Sequence, residues 1–172
     1  MYFKEGSNDK ITEQGFNQLD QLLTEYSKVF IKRFDIRVCI ETVDNNLISK
    51  FIKKLRNQIK TKYKCLMGFI WVREQTDASS TPHYHFAIYL NGHKVRSTYN
   101  LGKMIDGICD SLLYLSPFYP RNNGYMVHRN DSKSIQRVIY RISYLAKNES
   151  KTNRPRNISD YQISRLKIKN YQ

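Results

Sequence analysis

Several kinds of segment are missing from this chain of 172 residues, and each absence excludes a class of protein. No apolar run approaches the ~18 residues that a membrane-spanning helix needs. The first ten residues are polar and contain no apolar segment, so we expect no secretory signal. The three cysteines, Cys39, Cys65 and Cys109, are odd in number and far apart, which argues against a disulfide scaffold. A reducing, cytoplasmic location is therefore expected.

Glycine and proline are also few, at 7 and 4, and no repeat or low-complexity linker interrupts the chain. Short loops and a single domain are expected from this length and composition. With 40% apolar and 13% aromatic residues, the chain has enough material for a core. We predict a domain over residues 1–147 and a basic tail over residues 148–172, with one weak helical pattern after Ser159.

Acidic residues are scarce relative to basic ones. Lys and Arg number 29 against 15 Asp and Glu, which gives a formal charge of +14. This excess predicts a polyanionic partner, with nucleic acid favoured over an anionic membrane surface. The 13 tyrosines and 8 phenylalanines could stack on unpaired bases or could equally fill the core.

Apolar residues alternate between helical and strand spacing along the chain. Helices are predicted at residues 11–30, 46–63, 98–115 and 134–147. Strands are predicted at 33–43, 65–75, 82–90 and 125–129, and a turn at 77–81 should join the second and third into an antiparallel hairpin. This order favours an α+β fold with a mainly antiparallel central sheet and helices packed on one face. The other face would then be left for a ligand.

The predicted strand at 82–90 carries the most informative motif. Side chains alternate between the two faces of a strand. The apolar face holds Tyr84, Phe86, Ile88 and Leu90. His83 and His85 therefore fall together on the opposite face, where two imidazoles can reach one metal ion. The alternative is a pair of histidines on a half-solvated sheet without any metal.

A third ligand is available on the preceding strand. In the predicted hairpin, Glu74 lies close to the start of the histidine strand, and Glu41 is a reserve candidate on the polar face of its own strand. One carboxylate with two imidazoles suits Mg²⁺ or Mn²⁺ acting on a phosphate, and less often Zn²⁺ or Fe²⁺. Glu74 could alternatively form an ordinary surface ion pair.

The last predicted helix carries two tyrosines and a lysine on the side opposite its apolar stripe. Tyr140, Tyr144 and Lys147 follow i, i+4, i+7 spacing, which places them on one face. The alternative is ordinary amphipathic packing, which the position opposite the apolar stripe makes less favourable. A phenol is a weak nucleophile until a cation assists it, and Lys147 could supply that charge. Arg137 and Arg141 add positive charge along the same helix.

Together these motifs resemble those of HUH endonucleases. His83-Tyr84-His85 is similar to the His-hydrophobe-His motif of that superfamily, and Tyr144-Leu145-Ala146-Lys147 is similar to its Tyr-x-x-Lys motif. Glu74 is similar to the acidic third ligand of several rolling-circle replication initiators. The run at residues 71–74, followed by 83–92 and 144–147, resembles replication proteins of the inovirus (filamentous-phage) type.

The resemblance implies a ferredoxin- or RRM-like sheet with a metal site on its open face. Glu74, His83 and His85 would bind Mg²⁺ or Mn²⁺, which polarises the scissile phosphate of single-stranded DNA. The substrate would be single-stranded DNA or a melted replication origin. Tyr144 would attack the phosphate to give a 5′-phosphotyrosine and a free 3′-OH, with Lys147 assisting at the phosphate.

Other roles are less fully specified by the resemblance. Tyr140 matches the spacing of two-tyrosine initiators, in which a second phenol performs a second cleavage. Arg73, Arg137 and Arg141 are candidate nucleic-acid contacts. The chain has no Gly-rich phosphate-binding loop, so a separate helicase and polymerase are expected.

Two other functions fit the same residues. One is a non-catalytic DNA-binding protein with the same fold, and the other is a metallo-phosphodiesterase that uses Glu74, His83 and His85. The source of the element (phage, prophage or plasmid), the metal used in the cell and the number of acting tyrosines stay open.

Overall fold

A computed structural model describes residues 9–75, 80–146 and 158–166. Four α-helices lie within these ranges: α1 (Asp9–Glu25), α2 (Asn46–Tyr63), α3 (Thr98–Leu112) and α4 (Ser132–Ser143). Six strands accompany them: β1 (Lys28–Val38), β2 (Gly68–Glu74), β3 (His83–Asn91), β4 (Leu115–Phe118), β5 (Gly124–His128) and β6 (Tyr161–Ile163). A single 3₁₀ turn, Tyr144–Ala146, follows α4 directly.

The six strands form one antiparallel sheet in the order β4-β1-β3-β2-β6, and β5 pairs with the other end of β1. Within it, the run β1-α2-β2-β3-α3-β4 with strand order 4-1-3-2 is the ferredoxin-like arrangement, since β3 lies between the two parallel strands β1 and β2. The predicted α+β class, its antiparallel sheet and the hairpin pairing of β2 with β3 are confirmed. The predicted turn at 77–81 lies largely outside the described residues.

Helices α2 and α3 cover one face of the sheet. Five apolar residues recur at helical spacing along α2, and all of them are buried: Ile48, Phe51, Ile52, Leu55 and Ile59. Beneath them the rings of Phe34 and Phe86 stack with centroids 4.9 Å apart, and Phe51 meets Phe86 edge-on. This apolar face is the one that the sequence predicted.

Helices α1 and α4 pack on the opposite face, which corrects the expectation that all helices lie on one side. Their buried residues form a second apolar cluster with Val29 and Ile31 of β1, Ile70 and Val72 of β2, and Ala87 and Tyr89 of β3. The prediction failed because β1 begins at Lys28 rather than at residue 33. Val29 and Ile31 had been assigned to a helix or left out, so the second apolar face of β1 was not recognised.

The tail contributes a strand where a weak helical pattern was predicted. Tyr161–Ile163 pairs with the outer edge of β2. The hydroxyl of Ser164 accepts hydrogen bonds from the Gln18 amide at 2.7 Å and from the Phe69 backbone N–H at 3.0 Å. These contacts attach the segment to α1 and to the sheet.

The domain boundary at residue 147 stays a prediction. No helix in the described ranges is both long enough and apolar enough to cross a membrane.

Candidate metal centre and tyrosine pair

Three neighbouring strands bring four side chains of types that can bind metal ions to one end of the sheet. In the strand register Glu74 lies opposite His83, and Asp35 lies opposite His85. Because side chains alternate along a strand, these four project from the face that α1 and α4 cover elsewhere. The predicted set of Glu74, His83 and His85 is therefore brought together, and Asp35 joins it.

His85 lies between the two carboxylates. Its Nδ1 is 2.9 Å from Oδ1 of Asp35, and its Nε2 is 2.8 Å from Oε2 of Glu74. Burial alone would lower the pKa of His85, but the hydrogen bonds and charges of Asp35 and Glu74 outweigh it and raise the pKa to about 9.

His83 completes the cluster. Its ring centroid lies 4.7 Å from that of His85, and one donor atom from each of Asp35, His83 and His85 falls within 4.8 Å of the others. Burial, followed by the neighbouring charge of His85, lowers the pKa of His83. A lowered pKa favours the neutral imidazole, which is the form that binds metal ions.

The donor set fits a divalent cation. Two imidazoles and a carboxylate suit Mn²⁺, Fe²⁺ or Zn²⁺, and carboxylate oxygens suit Mg²⁺. A carboxylate on the distal ring nitrogen of a metal-binding histidine fixes its tautomer and orientation. Asp35 stands in that relation to His85, leaving Nε2 directed toward Glu74. The donor atoms that lie within 4.8 Å of one another belong to Asp35, His83 and His85, and Glu74 reaches Nε2 of His85, so either carboxylate could complete the ligand set.

Asp35 was missed in the sequence, although a signal was present. It is an acid between Phe34 and Ile36 in a strongly apolar strand, on the same face as Arg37, and it is only 7% exposed. The reserve candidate Glu41 is not part of the cluster. The strand predicted to carry it ends at Val38, and Glu41 is exposed beyond that end.

The two tyrosines lie side by side at the end of α4. Their hydroxyl oxygens are 2.9 Å apart, and the rings meet edge-on with centroids 5.2 Å apart. Tyr140 is 49% exposed, as its predicted position away from the apolar stripe requires. The helix ends at Ser143, one residue earlier than the predicted nucleophile Tyr144, which lies in the 3₁₀ turn. Lys147 lies outside the described residues.

The tyrosine segment packs on the same face of the sheet as the histidines. Leu145, the neighbour of Tyr144, is buried in one cluster with Val72 and Ala87. Val72 lies directly opposite His85 in the register, and Ala87 is the next residue on that face of β3. The phenols and the histidine–carboxylate cluster thus share one side of the molecule.

The predicted nucleic-acid contacts differ in exposure. Arg73 is 3% exposed, and its guanidinium donates to the carbonyl of Thr42 at 3.2 Å, Oδ1 of Asn45 at 3.2 Å and Oε1 of Gln75 at 2.8 Å. Arg73 therefore holds the segment before α2 in place. A residue that binds phosphate needs an exposed guanidinium, which Arg73 does not have. Arg137 is exposed.

Arg141 is half-buried. Its positive charge affects a second arginine, Arg33, which the sequence analysis missed. Arg33 lies on the same face of β1 as Asp35. Burial lowers the pKa of Arg33 and the charge of Arg141 lowers it further, while Asp35 opposes both. Its Nε is buried without a hydrogen-bond partner in the described part of the chain. Two arginines therefore border the acidic side of the site.

The model of the YagK/YfjJ C-terminal domain family matches residues 1–159. The chain belongs to this family. The match spans the whole candidate site and both tyrosines, and it ends just before β6. No curated protein and no solved structure matches the chain. The family name states no activity, so the similarity to HUH endonucleases enters only the proposal that follows.

Proposed function

We propose that this member of the YagK/YfjJ C-terminal domain family is a metal-dependent endonuclease that nicks and rejoins single-stranded DNA through a tyrosine. The observation that carries the proposal is the convergence of two histidines and two carboxylates on the sheet face that also bears the Tyr140–Tyr144 pair. The proposed setting is the start of rolling-circle replication in the cytoplasm, at a melted origin.

The metal-binding residues have distinct tasks in this proposal. Glu74, His83 and His85 would hold Mg²⁺ or Mn²⁺, and Asp35 would keep His85 in the required tautomer by accepting the hydrogen bond from Nδ1. The bound cation would polarise the scissile phosphate and stabilise the negative charge that develops on it. Arg33 and Arg141 attract the flanking phosphates by their charge.

The tyrosines perform the covalent step. The Tyr144 hydroxyl loses its proton, and its oxygen forms a bond to phosphorus while the bond from phosphorus to the 3′ oxygen breaks. The departing 3′ oxygen takes up a proton and becomes a free 3′-OH, and the 5′ end stays on Tyr144. Tyr140, whose hydroxyl is hydrogen-bonded to that of Tyr144, provides the second phenol for a second transfer. A separate helicase and polymerase would open and copy the strand.

The test is covalent capture of DNA. Wild-type protein is incubated with labelled single-stranded oligonucleotides of random sequence and Mn²⁺, and adducts are resolved on a denaturing gel. We expect a protein–DNA adduct that Tyr144→Phe abolishes and Tyr140→Phe reduces. Tyr99→Phe is the matched control, because Tyr99 is an exposed tyrosine on α3, on the other side of the sheet. The proposal fails if no divalent metal supports an adduct.

A metal-dependent phosphodiesterase is the second candidate, because the His/carboxylate cluster is complete without either tyrosine. Such an enzyme cleaves DNA by attack of water. The Tyr140→Phe, Tyr144→Phe double variant would then keep full cleavage without any adduct. A non-catalytic DNA-binding protein would instead bind DNA with or without His83 and His85 and would never cleave it.

A further inference from the structure

The outer side of α2 carries a continuous basic surface. No Asp or Glu occurs between residues 45 and 73, whereas seven exposed cations lie on α2 and at its C-terminal end. They are Lys50, Lys53, Lys54, Arg56, Lys60, Lys62 and Lys64. Within the described ranges, none of them forms an ion pair with a carboxylate. We call this set of seven the α2 basic face.

Four of the seven cations lie in a line along the helix. Lys50, Lys53, Lys60 and Lys64 lie on the side opposite the buried apolar residues of α2. At 1.5 Å per residue, the line from Lys50 to Lys64 extends about 21 Å. This length covers several consecutive phosphates of a nucleic-acid strand. The spacing of positive charge therefore matches a linear polyanion better than a small compact anion.

A groove adjoins the C-terminal half of this face. It has a volume of about 890 Å³ and lies between α2, the α2–β2 connection and residues 164–166. Arg56, Lys60, Lys64 and Arg165 contribute cations to its lining, and Tyr26 contributes an aromatic ring. The groove thus combines four positive charges with a ring of the kind on which an unpaired base can stack.

This surface is remote from the metal centre. Helix α2 packs on the face of the sheet opposite His83 and His85. The groove adjoins Met67 at the start of β2, whereas Glu74 is the last residue of that strand. Seven residues of extended chain separate the two ends by about 20 Å. Neither His83 nor Glu74 contributes to the groove.

We propose that the α2 basic face and its groove bind the phosphate backbone of nucleic acid without sequence preference. Lysine ammonium groups on flexible stems contact phosphates as point charges and read no base edges. A lipid surface fits less well, because membrane-bound amphipathic helices insert an exposed apolar side. The apolar side of α2 is buried in the core, and of the large hydrophobic residues lining the groove only Leu66 is exposed, at 47%.

The binding surface stands independently of the nicking chemistry. The test compares wild type with Lys50→Gln/Lys53→Gln/Lys60→Gln, which removes three charges from exposed helical positions. The control, Lys10→Gln/Arg121→Gln/Lys133→Gln, removes three exposed charges from elsewhere on the molecule. Affinity for a single-stranded and a duplex DNA of unrelated sequence is measured from 50 to 300 mM salt, and thermal melting confirms that both variants are folded.

We expect the α2 variant to bind at least tenfold more weakly near 0.1 M salt. Its slope of log affinity against log salt for duplex DNA should fall by about 2 to 3, since each phosphate contact contributes about 0.9. The control should change either quantity much less. Equal weakening by the two variants would show an effect of net charge alone and would overturn the proposal, as would unchanged binding by the α2 variant.

Two further arms separate this surface from other sites and partners. His83→Ala/His85→Ala should keep the binding, so that a failure of the proposed metal chemistry leaves this result intact. Phosphatidylserine vesicles are the rival polyanion. If the α2 substitutions abolish vesicle binding and leave DNA binding unchanged, the surface is a membrane site and the inference is wrong.

Discussion

The two faces of the central sheet are built from the same strands but have different contents. Under α2 and α3 the apolar surface is continuous and includes the stacked rings of Phe34 and Phe86. Under α1 and α4 an apolar cluster containing Ala87 and Tyr89 gives way, at one end, to the polar group around His85. Both patterns run along β3, on alternate residues.

The contrast indicates where such a fold can place chemistry. The face under α2 and α3 is mostly apolar, and its packing stabilises the domain. The second face has enough apolar residues to hold α1 and α4. Beside the first residues of β3 it instead carries the polar side chains of Asp35, Glu74 and His83. Because α4 is held by that same cluster, Tyr140 and the following Tyr144 lie on the side of the sheet that carries the histidines.

We call Asp35, Glu74, His83 and His85 the polar end of this face. The largest effect is expected from replacing His85, which lies between the two carboxylates. His85→Ala takes away one imidazole and leaves Asp35 and Glu74 without their shared partner. We expect Mn²⁺ binding to be lost and DNA cleavage to fall by about 1000-fold, equivalent to about 4 kcal/mol in the barrier. Titration calorimetry and single-turnover cleavage measure the two effects.

His93→Ala is the control for this substitution. His93 is exposed and its Nε2 lies 2.8 Å from the Ser27 hydroxyl, away from the polar end. It should bind Mn²⁺ and cleave DNA as wild type does. Full Mn²⁺ affinity in His85→Ala would show that the polar end is not the metal site.

The opposite face contains two buried cations, Lys32 and Arg73, and the expected effect of Lys32 is on stability. Lys32 is 2% exposed, with Nζ 3.2 Å from Oδ1 of Asn123 and 4.5 Å from the ring centroid of Tyr119. Burial lowers the pKa of Lys32 to about 8, against a smaller opposing effect of Asp106. Between pH 8 and 10.5 the unfolded chain therefore holds a proton that the folded chain has released.

Stability attributable to Lys32 should accordingly rise with pH across that window, by up to about 3 kcal/mol. Lys32→Met removes this dependence. The variant should exceed wild type in stability at pH 7, and its advantage should shrink as the pH approaches 10.5. Urea unfolding at several pH values measures the difference, and an advantage that does not vary with pH would contradict the assigned cause.

The elements of both faces could be predicted to different extents. The common face of His83 and His85 followed from strand alternation, and the exposed position of Tyr140 followed from helical spacing, because both patterns are local. Asp35 was missed because its partner His85 is 50 residues away in sequence, and only the register between β1 and β3 brings the two together. Local periodicity carries no information on that register.

The limits of the elements were less predictable for a related reason. Val29 and Phe30 continue the apolar spacing of α1, yet they lie in β1, directly after its first residue. They fit there because β-branched and aromatic side chains pack well in a sheet. Strand β6 has three residues and exists through its pairing with β2, so no sequence period could reveal it. The second layer of helices was overlooked because the start of β1 was misplaced.

The contact between α1 and α4 gives a smaller test of the comparison. A Cβ added at Gly15 would lie 2.9 Å from Cγ2 of Ile142, closer than side chains tolerate, whereas a Cβ at Gly107 in α3 would meet nothing within 4 Å. Gly107→Ala should stabilise by about 0.5 to 1 kcal/mol through helix propensity. Gly15→Ala should destabilise by about 1 kcal/mol because Ile142 must move.

The two glycine variants should thus differ by about 2 kcal/mol in urea unfolding. Since Ile142 lies between Tyr140 and Tyr144, Gly15→Ala should also lower adduct formation, and Gly107→Ala should not. Equal stabilisation by both substitutions would show that α4 can shift away from α1 at no cost.

The smallest effect concerns two tyrosines on opposite faces of β3. The Tyr89 hydroxyl is buried and has no hydrogen-bond partner within the described ranges, and burial raises the pKa of Tyr89. The Tyr84 hydroxyl donates to Oδ1 of Asn45 at 2.7 Å. Tyr89→Phe removes an unsatisfied polar group and should stabilise by about 1 kcal/mol, whereas Tyr84→Phe should destabilise by a similar amount.

Urea unfolding of the two variants gives opposite signs if the α1/α4 face is as dry around Tyr89 as its apolar neighbours imply. A loss of stability in Tyr89→Phe would instead mean that water reaches that hydroxyl between α1 and α4. The polar character of this face would then extend beyond the end that holds His85, and the contrast between the two faces would be weaker than the packing alone indicates.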